Sequence, residues 1–144
     1  MINDSKLRVL AIDYGTKRVG IAISDPLCLF PSITNTLGND KKLINNLLQI
    51  IIEKNIGQII IGYPDFEEQK TTELTLEILK LKKVLEMRSK LNIQLWDEHM
   101  TSKIAAARVF ESTPKKNKRR NKSLIDAQSA AIILEEYLNR NEKK

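Results

Sequence analysis

Four short apolar runs, set among stretches at helical spacing, leave this chain few architectures. Residues 7–13 (LRVLAID), 19–24 (VGIAIS), 58–61 (QIII) and 93–96 (IQLW) are too short for helices and rich in β-formers, so each reads as a strand. The first is apolar on both faces, which predicts a central strand. Tyr14 to Arg18 forms a turn around Gly15 and returns the chain into the second run. A further short strand fits Ser32 to Thr36, after Pro31, and the short connections favour antiparallel hairpins.

Between the strands the period changes. Asn39 or Asp40 offers an N-cap, and Leu43, Ile44, Leu47, Leu48 and Ile51 follow at helical spacing, so the pattern predicts a helix over 40–54. Leu74, Ile78, Leu81 and Leu85 mark the core face of a second helix over about 70–89. A short helix fits Ser102 to Phe110, capped by Thr101, and a last one Ser123 to Leu138. The order β-β-β-α-β-α-β-α-α predicts an α/β fold. Its sheet is mixed and five-stranded, a three-strand antiparallel meander plus two parallel strands, with helices packed on it. The 144 residues predict a single domain, 1–144.

Composition narrows the function classes. Cys28 is the only cysteine, so no internal disulfide is possible; it reads as a small buried hydrophobe in a reducing cytosol. There is no leader-like start and no apolar run of membrane-spanning length, so a soluble cytoplasmic protein without membrane partners is expected. The 24 basic residues exceed the 18 acidic ones by six. Six basic residues (Lys115, Lys116, Lys118, Arg119, Arg120 and Lys122) sit together in 115–122, KKNKRRNK, so the rest of the chain is formally neutral. One local basic patch is the footprint of a polyanion contact, with a solvated loop as the plain alternative. No aromatic residue interleaves the tract, so it does not predict base stacking.

Three acidic positions stand out. Asp13 ends the first strand beside a glycine turn, where a carboxylate can hold a metal or serve the turn. Asp97 and Glu98 end the last strand, and strand alternation lets only one of them share Asp13's face. Spacing alone leaves that choice open. Asp126 fits a capping box with Ser123, yet it also shares a helix face with Ala130, Ile133 and Tyr137. An acidic group carried toward the protein body needs a partner, and a cation shared with the other carboxylates would supply one. His99, the only histidine, could carry a proton or touch phosphate, although a surface role is the plainer reading. There is no zinc-ligand cluster, Walker lysine motif or Rossmann glycine fingerprint.

These residues resemble a known family. Ala11 to Gly20 (AIDYGTKRVG) with Ser24-Asp25-Pro26 resembles the opening of the YqgF (RuvX) family, Holliday-junction-resolvase-like proteins of ribonuclease H-like fold proposed to process the 5′ end of pre-16S ribosomal RNA. Ile61 to Pro64 resembles its strand-end Gly-x-Pro, Trp96-Asp97-Glu98 with Thr101 its Asp-Glu-Arg segment, and Lys122 to Leu138 its final helix. The resemblance implies an acidic triad of Asp13, Glu98 and Asp126 that is both catalytic and metal-binding, and it favours Glu98 over Asp97. It implies Mg²⁺ or Mn²⁺, with Asp13 shared between two ions. Lys17, Arg18, His99 and the basic tract (Lys115, Lys116, Lys118, Arg119, Arg120, Lys122) are then the substrate contacts. The partner is nucleic acid, precursor ribosomal RNA first and branched DNA second, and the chain is expected to be a monomer or weak homodimer. Two departures accompany it: His99 stands where the family carries Arg, and residues 65–69 (DFEEQ) form a short acidic loop without glycine.

Two other classes compete. A non-catalytic factor binding ribosomal RNA would need only the basic tract. Asp13 to Thr16 also resembles the first phosphate loop of actin-like and Hsp70-like ATPases, which are built from two such domains where this chain holds one.

Overall fold

The computed structural model describes residues 7–64, 71–98, 104, 107–108 and 122–142. Strands β1 (Arg8–Tyr14), β2 (Arg18–Ser24) and β3 (Pro31–Gly38) come first, followed by helix α1 (Leu43–Glu53), strand β4 (Ile56–Tyr63), helix α2 (Glu73–Ser89), strand β5 (Ile93–Asp97) and helix α3 (Lys122–Glu142). The sheet order is β3-β2-β1-β4-β5. β1 pairs antiparallel with β2, and β2 with β3, while β1–β4 and β4–β5 are parallel. This is the expected meander plus two crossovers. The short helix expected over 102–110 falls mostly outside the described residues; Ile104, Ala107 and Arg108 are helical. His99, Thr101, the loop 65–69 and residues 115–121 also lie outside them.

Strand alternation divides the core into two layers. Leu10, Ile12, Val19, Ile21, Ile23, Ile59 and Ile61 face one side and pack with Leu43, Leu47, Ile51, Ile78, Leu81 and Leu85 from α1 and α2. Val9, Ala11, Ala22, Ile60 and Trp96 face the other and pack with Ala130, Ala131, Ile133, Leu134 and Leu138 from α3. Each fully buried Ile or Leu contributes about 1.5–3 kcal/mol, so both layers matter to stability. β1 is buried through its middle, as a strand covered on both faces must be.

The second layer is lined with small residues. Gly20 lies opposite Asp13 in the β1–β2 register. A Cβ on Gly20 would overlap the backbone carbonyl of Asp126. Ala22, Ala127, Ala130 and Ala131 extend the same contact surface, so α3 lies directly on β2. Trp96 closes the layer on its far side. Its ring meets Tyr137 edge-on at 5.4 Å, Arg140 stacks over it at 5.0 Å, and its Nε1 donates to Glu136 Oε2 at 3.2 Å.

Some local expectations need correction. α1 begins at Leu43, not residue 40, and its N-cap position, Lys42, makes no side-chain cap. Asp40 instead accepts from Lys42 N at 2.8 Å in the preceding turn, and Asn39 Nδ2 donates to the Gly15 carbonyl at 2.7 Å. Asx turns compete with caps for the same residues, and here the turn prevails. The side chain of Ser123, expected to cap with Asp126, lies outside the described residues. α2 carries a reciprocal Thr72–Thr75 capping box that the pattern did not predict. Cys28 is half-buried in the β2–β3 turn with φ 58, its thiol donating to the Leu7 carbonyl at 3.3 Å.

Candidate active site

The parallel pairing of β1, β4 and β5 brings their C-terminal ends to one edge of the sheet, where ligand sites of α/β folds form. Asp13 and Glu98 both reach that edge, but their strands are not neighbours: β4 runs between them. Gly62 of β4 makes their meeting possible. It sits one residue beyond the paired Ile12 and Ile61 and opposite Trp96. A Cβ there would lie 3.2 Å from Glu98 Oε2 and 2.7 Å from Ile133 Cδ1. The bare backbone at Gly62 is the window through which Glu98 crosses to Asp13.

Alternation also separates Asp97 from Glu98. Trp96 points into the α3 layer, so Glu98 continues on that face and Asp97 turns away. Val9 and Ala11 place Asp13 on the same face. The Glu98 amide donates to the Tyr63 carbonyl at 3.3 Å, which extends the β4–β5 pairing to the site itself.

Asp13 is only 8% exposed. Its carboxyl shares a hydrogen bond with that of Glu98, and burial, the Glu98 charge, this hydrogen bond and the charge of Asp126 push its pKa up to about 9. Burial likewise raises the Glu98 pKa, while accepting from Asp13 pulls the other way. Two carboxyls in one dry pocket cannot both ionise without a counter-charge. Without a counter-charge the raised Asp13 pKa favours a protonated carboxyl there at neutral pH.

Asp126, in the second turn of α3, reaches the same edge through the Gly20 contact and adds its charge to the field on Asp13. Its carboxylate is engaged elsewhere: Arg18 Nε donates to Asp126 Oδ2 at 3.1 Å, with both side chains about one-third exposed. Among the described residues no three His, Cys, Asp or Glu side chains are gathered closely enough to hold an ion together. The donor set nevertheless fits a hard divalent cation. It consists of carboxylate oxygens on rigid elements, and the two innermost repel each other where a cation would satisfy both.

Of the remaining candidates, Lys17 is exposed in the β1–β2 turn, which the Asn39 bonds to Gly15 and Lys17 tie to the end of β3. Lys122 opens α3. Asp25, part of the motif carrying the resemblance, has a structural task instead. Its carboxylate accepts from the amides of Leu27, Leu29 and Phe30 at 2.7–3.2 Å, and although burial opposes it, these bonds hold its pKa below the usual value. Sequence reading missed Gly62 and Gly20. A strand-end glycine beside an acidic strand end was the available signal for Gly62, but only the strand order gives it meaning.

Comparison with known proteins bears on the family and the fold. Residues 7–140 match the family model RuvX, described as Holliday junction resolvase. The chain is 38% identical over 135 residues to a protein of Amoebophilus asiaticus named as a candidate pre-16S rRNA nuclease, covering 92% of this chain and 94% of that one. A Maridesulfovibrio salexigens protein of the same description is 38% identical over 136 residues, covering 93% and 99%. Among solved structures, Fowlpox virus resolvase in complex with Holliday junction DNA superposes with a TM-score of 0.62 at 14% identity, covering 94% of this chain and 99% of that one. Thermus thermophilus RuvC with a Holliday junction substrate gives 0.61 at 14%, covering 96% and 97%. At such identity the structural likeness speaks for the fold, the ribonuclease H-like layout. No helix among the described residues is long and apolar enough to cross a membrane.

Proposed function

The chain belongs to the RuvX family, and from that premise we propose that residues 1–144 act as one metal-dependent nuclease domain hydrolysing phosphodiester bonds at the 5′ end of precursor 16S ribosomal RNA. The observation that carries the reading is the buried Asp13–Glu98 pair, drawn together over Gly62, where burial and mutual charge raise the Asp13 pKa. Burying two like carboxyls costs stability, and that cost is understandable at a site built to take a cation.

Asp13, Glu98 and Asp126 would hold Mg²⁺ or Mn²⁺, with Asp13 common to both ions if two are bound. A divalent cation held there would supply an activated water and charge stabilisation of the leaving oxygen. The chain's own residues supply the rest. The sheet edge fixes Asp13 and Glu98, and the packed α3 layer keeps bulk water from their inner side. Lys17 in the exposed turn contacts a phosphate. His99, next to Glu98 in sequence, carries a proton or touches phosphate. Lys115, Lys116, Lys118, Arg119, Arg120 and Lys122 grip the backbone and add affinity without reading bases. The reading goes with a cytoplasmic enzyme that acts as a monomer or weak homodimer.

Two observations favour other readings. The family description and the resolvase fold favour a branched-DNA substrate. The pairing of Asp126 with Arg18 favours a non-catalytic ribosomal-RNA binder. Incubating the protein with a 5′-extended 16S precursor and with a four-way DNA junction, with and without Mg²⁺, separates the three. Metal-dependent cleavage of the precursor is expected. Cleavage of the junction alone would move the substrate to DNA. RNA binding that survives loss of all three carboxylates, with no cleavage, would overturn the nuclease reading.

A further inference from the structure

We propose that Arg18 is a positioning residue that withholds Asp126 from the carboxylate pair until a substrate phosphate takes over its guanidinium. The inference rests on the three-carboxylate reading above and adds a coupling between strand binding and completion of the site. Its basis is the 3.1 Å bond from Arg18 Nε to Asp126 Oδ2 at the edge where Asp13 and Glu98 meet. Arg18 opens β2 on the same face as Gly20, the residue against which the Asp126 backbone rests. The pair therefore spans the boundary between the turn and α3, next to the acidic pair.

Arginine suits this exchange. Its planar guanidinium donates to carboxylate and phosphate alike, so a phosphodiester can take over the Nε contact that Asp126 holds. The pair is partly exposed, and ion pairs of this kind are weak enough to break on binding. Substrate binding would then release the Asp126 carboxylate beside Asp13 and Glu98. By linkage the coupling is reciprocal: occupation of the acidic site frees Arg18 for the strand.

Two double-mutant cycles on the full chain test this, using Arg18→Gln and Asp126→Asn, with circular dichroism to verify folding and Arg18→Lys as the conservative variant. The first measures Mn²⁺ affinity by the free-ion resonance signal, without nucleic acid. Arg18→Gln should bind Mn²⁺ about two- to fivefold more tightly than wild type, the range expected for releasing one exposed ion pair. That gain should vanish in the Asp126→Asn background, and Arg18→Lys should fall between. The second measures RNA affinity by fluorescence anisotropy in EDTA. Asp126→Asn should tighten RNA binding by a similar factor, and Arg18→Gln should abolish the gain.

If either gain persists unchanged in the partner's background, long-range charge explains it and the inference falls. Mn²⁺ binding by wild type that Arg18→Gln leaves unaltered overturns the inference alone. No Mn²⁺ binding by any variant overturns the metal-site reading, and the inference with it.

Discussion

Replacing Asp13 with asparagine removes a carboxyl that the metal-free fold keeps protonated. The amide can still donate a hydrogen bond to Glu98, so the contact survives while the titration disappears. The sign of the effect follows from linkage. Below pH ~4 the Asp13 carboxyl is protonated in both folded and unfolded chains, and it contributes no pH dependence. Between pH ~4 and the folded value of about 9, the unfolded chain has released that proton and the folded chain retains it. Stability then falls as pH rises, by up to ~1.4 kcal/mol per pH unit for one proton. From pH 5 to pH 8 the limit is about 4 kcal/mol, and relaxation around the pair is expected to leave roughly 2–3 kcal/mol.

Urea unfolding in EDTA at pH 5, 6, 7 and 8 measures this. Subtracting wild type from Asp13→Asn cancels groups that do not couple to Asp13, so the difference reports the Asp13–Glu98 pair. The variant should gain stability over wild type steadily with pH, so that it is the more stable protein at pH 8. Saturating Mg²⁺ should reverse the order, because a ligand at ~100 times its Kd adds about 2.7 kcal/mol to wild type alone. A difference that stays flat from pH 5 to pH 8 would refute the buried, proton-sharing pair.

Further tests address the elements that build the site. Gly20→Ala sets a Cβ against the Asp126 carbonyl and should cost about 1–3 kcal/mol in thermal or urea unfolding, as overpacking does, while lowering cleavage more than tenfold by lifting Asp126 from the edge. Trp96→Ala removes the closing ring with its Tyr137, Arg140 and Glu136 contacts and should cost about 3–5 kcal/mol; a loss below ~1 kcal/mol would contradict its role in the α3 layer. Neutralising the six basic residues of 115–122 should flatten the slope of log affinity for single-stranded RNA against log salt, by ~0.7 for each phosphate the tract no longer neutralises. An unchanged slope would remove that tract from the interface.

The fold was legible in the sequence because its strands and helices announce themselves locally, by short apolar runs of β-formers or by a period of 3.6. The site was legible only in part. Asp13 and Glu98 could be named as strand-end acids, but Glu98 rather than Asp97 became a structural choice only once Trp96 was known to face α3. Gly62 has no meaning until β4 is known to separate β1 from β5. The Arg18–Asp126 pair links residues 108 positions apart and leaves no local trace. At Asn39 and Asp40 the same side chains can serve either a cap or another backbone contact, and here the Gly15 carbonyl and the Lys42 amide take them.

The central claim is that Asp13 anchors a cation-dependent phosphodiester cleavage. Its most direct test is Mg²⁺-dependent cleavage of a 5′-extended 16S precursor by wild type and by Asp13→Asn, at equal folded concentration. The account predicts a loss above about 100-fold, since even residues that only support metal ligands cost up to that much when removed. Cleavage by Asp13→Asn within a few-fold of wild type would contradict it.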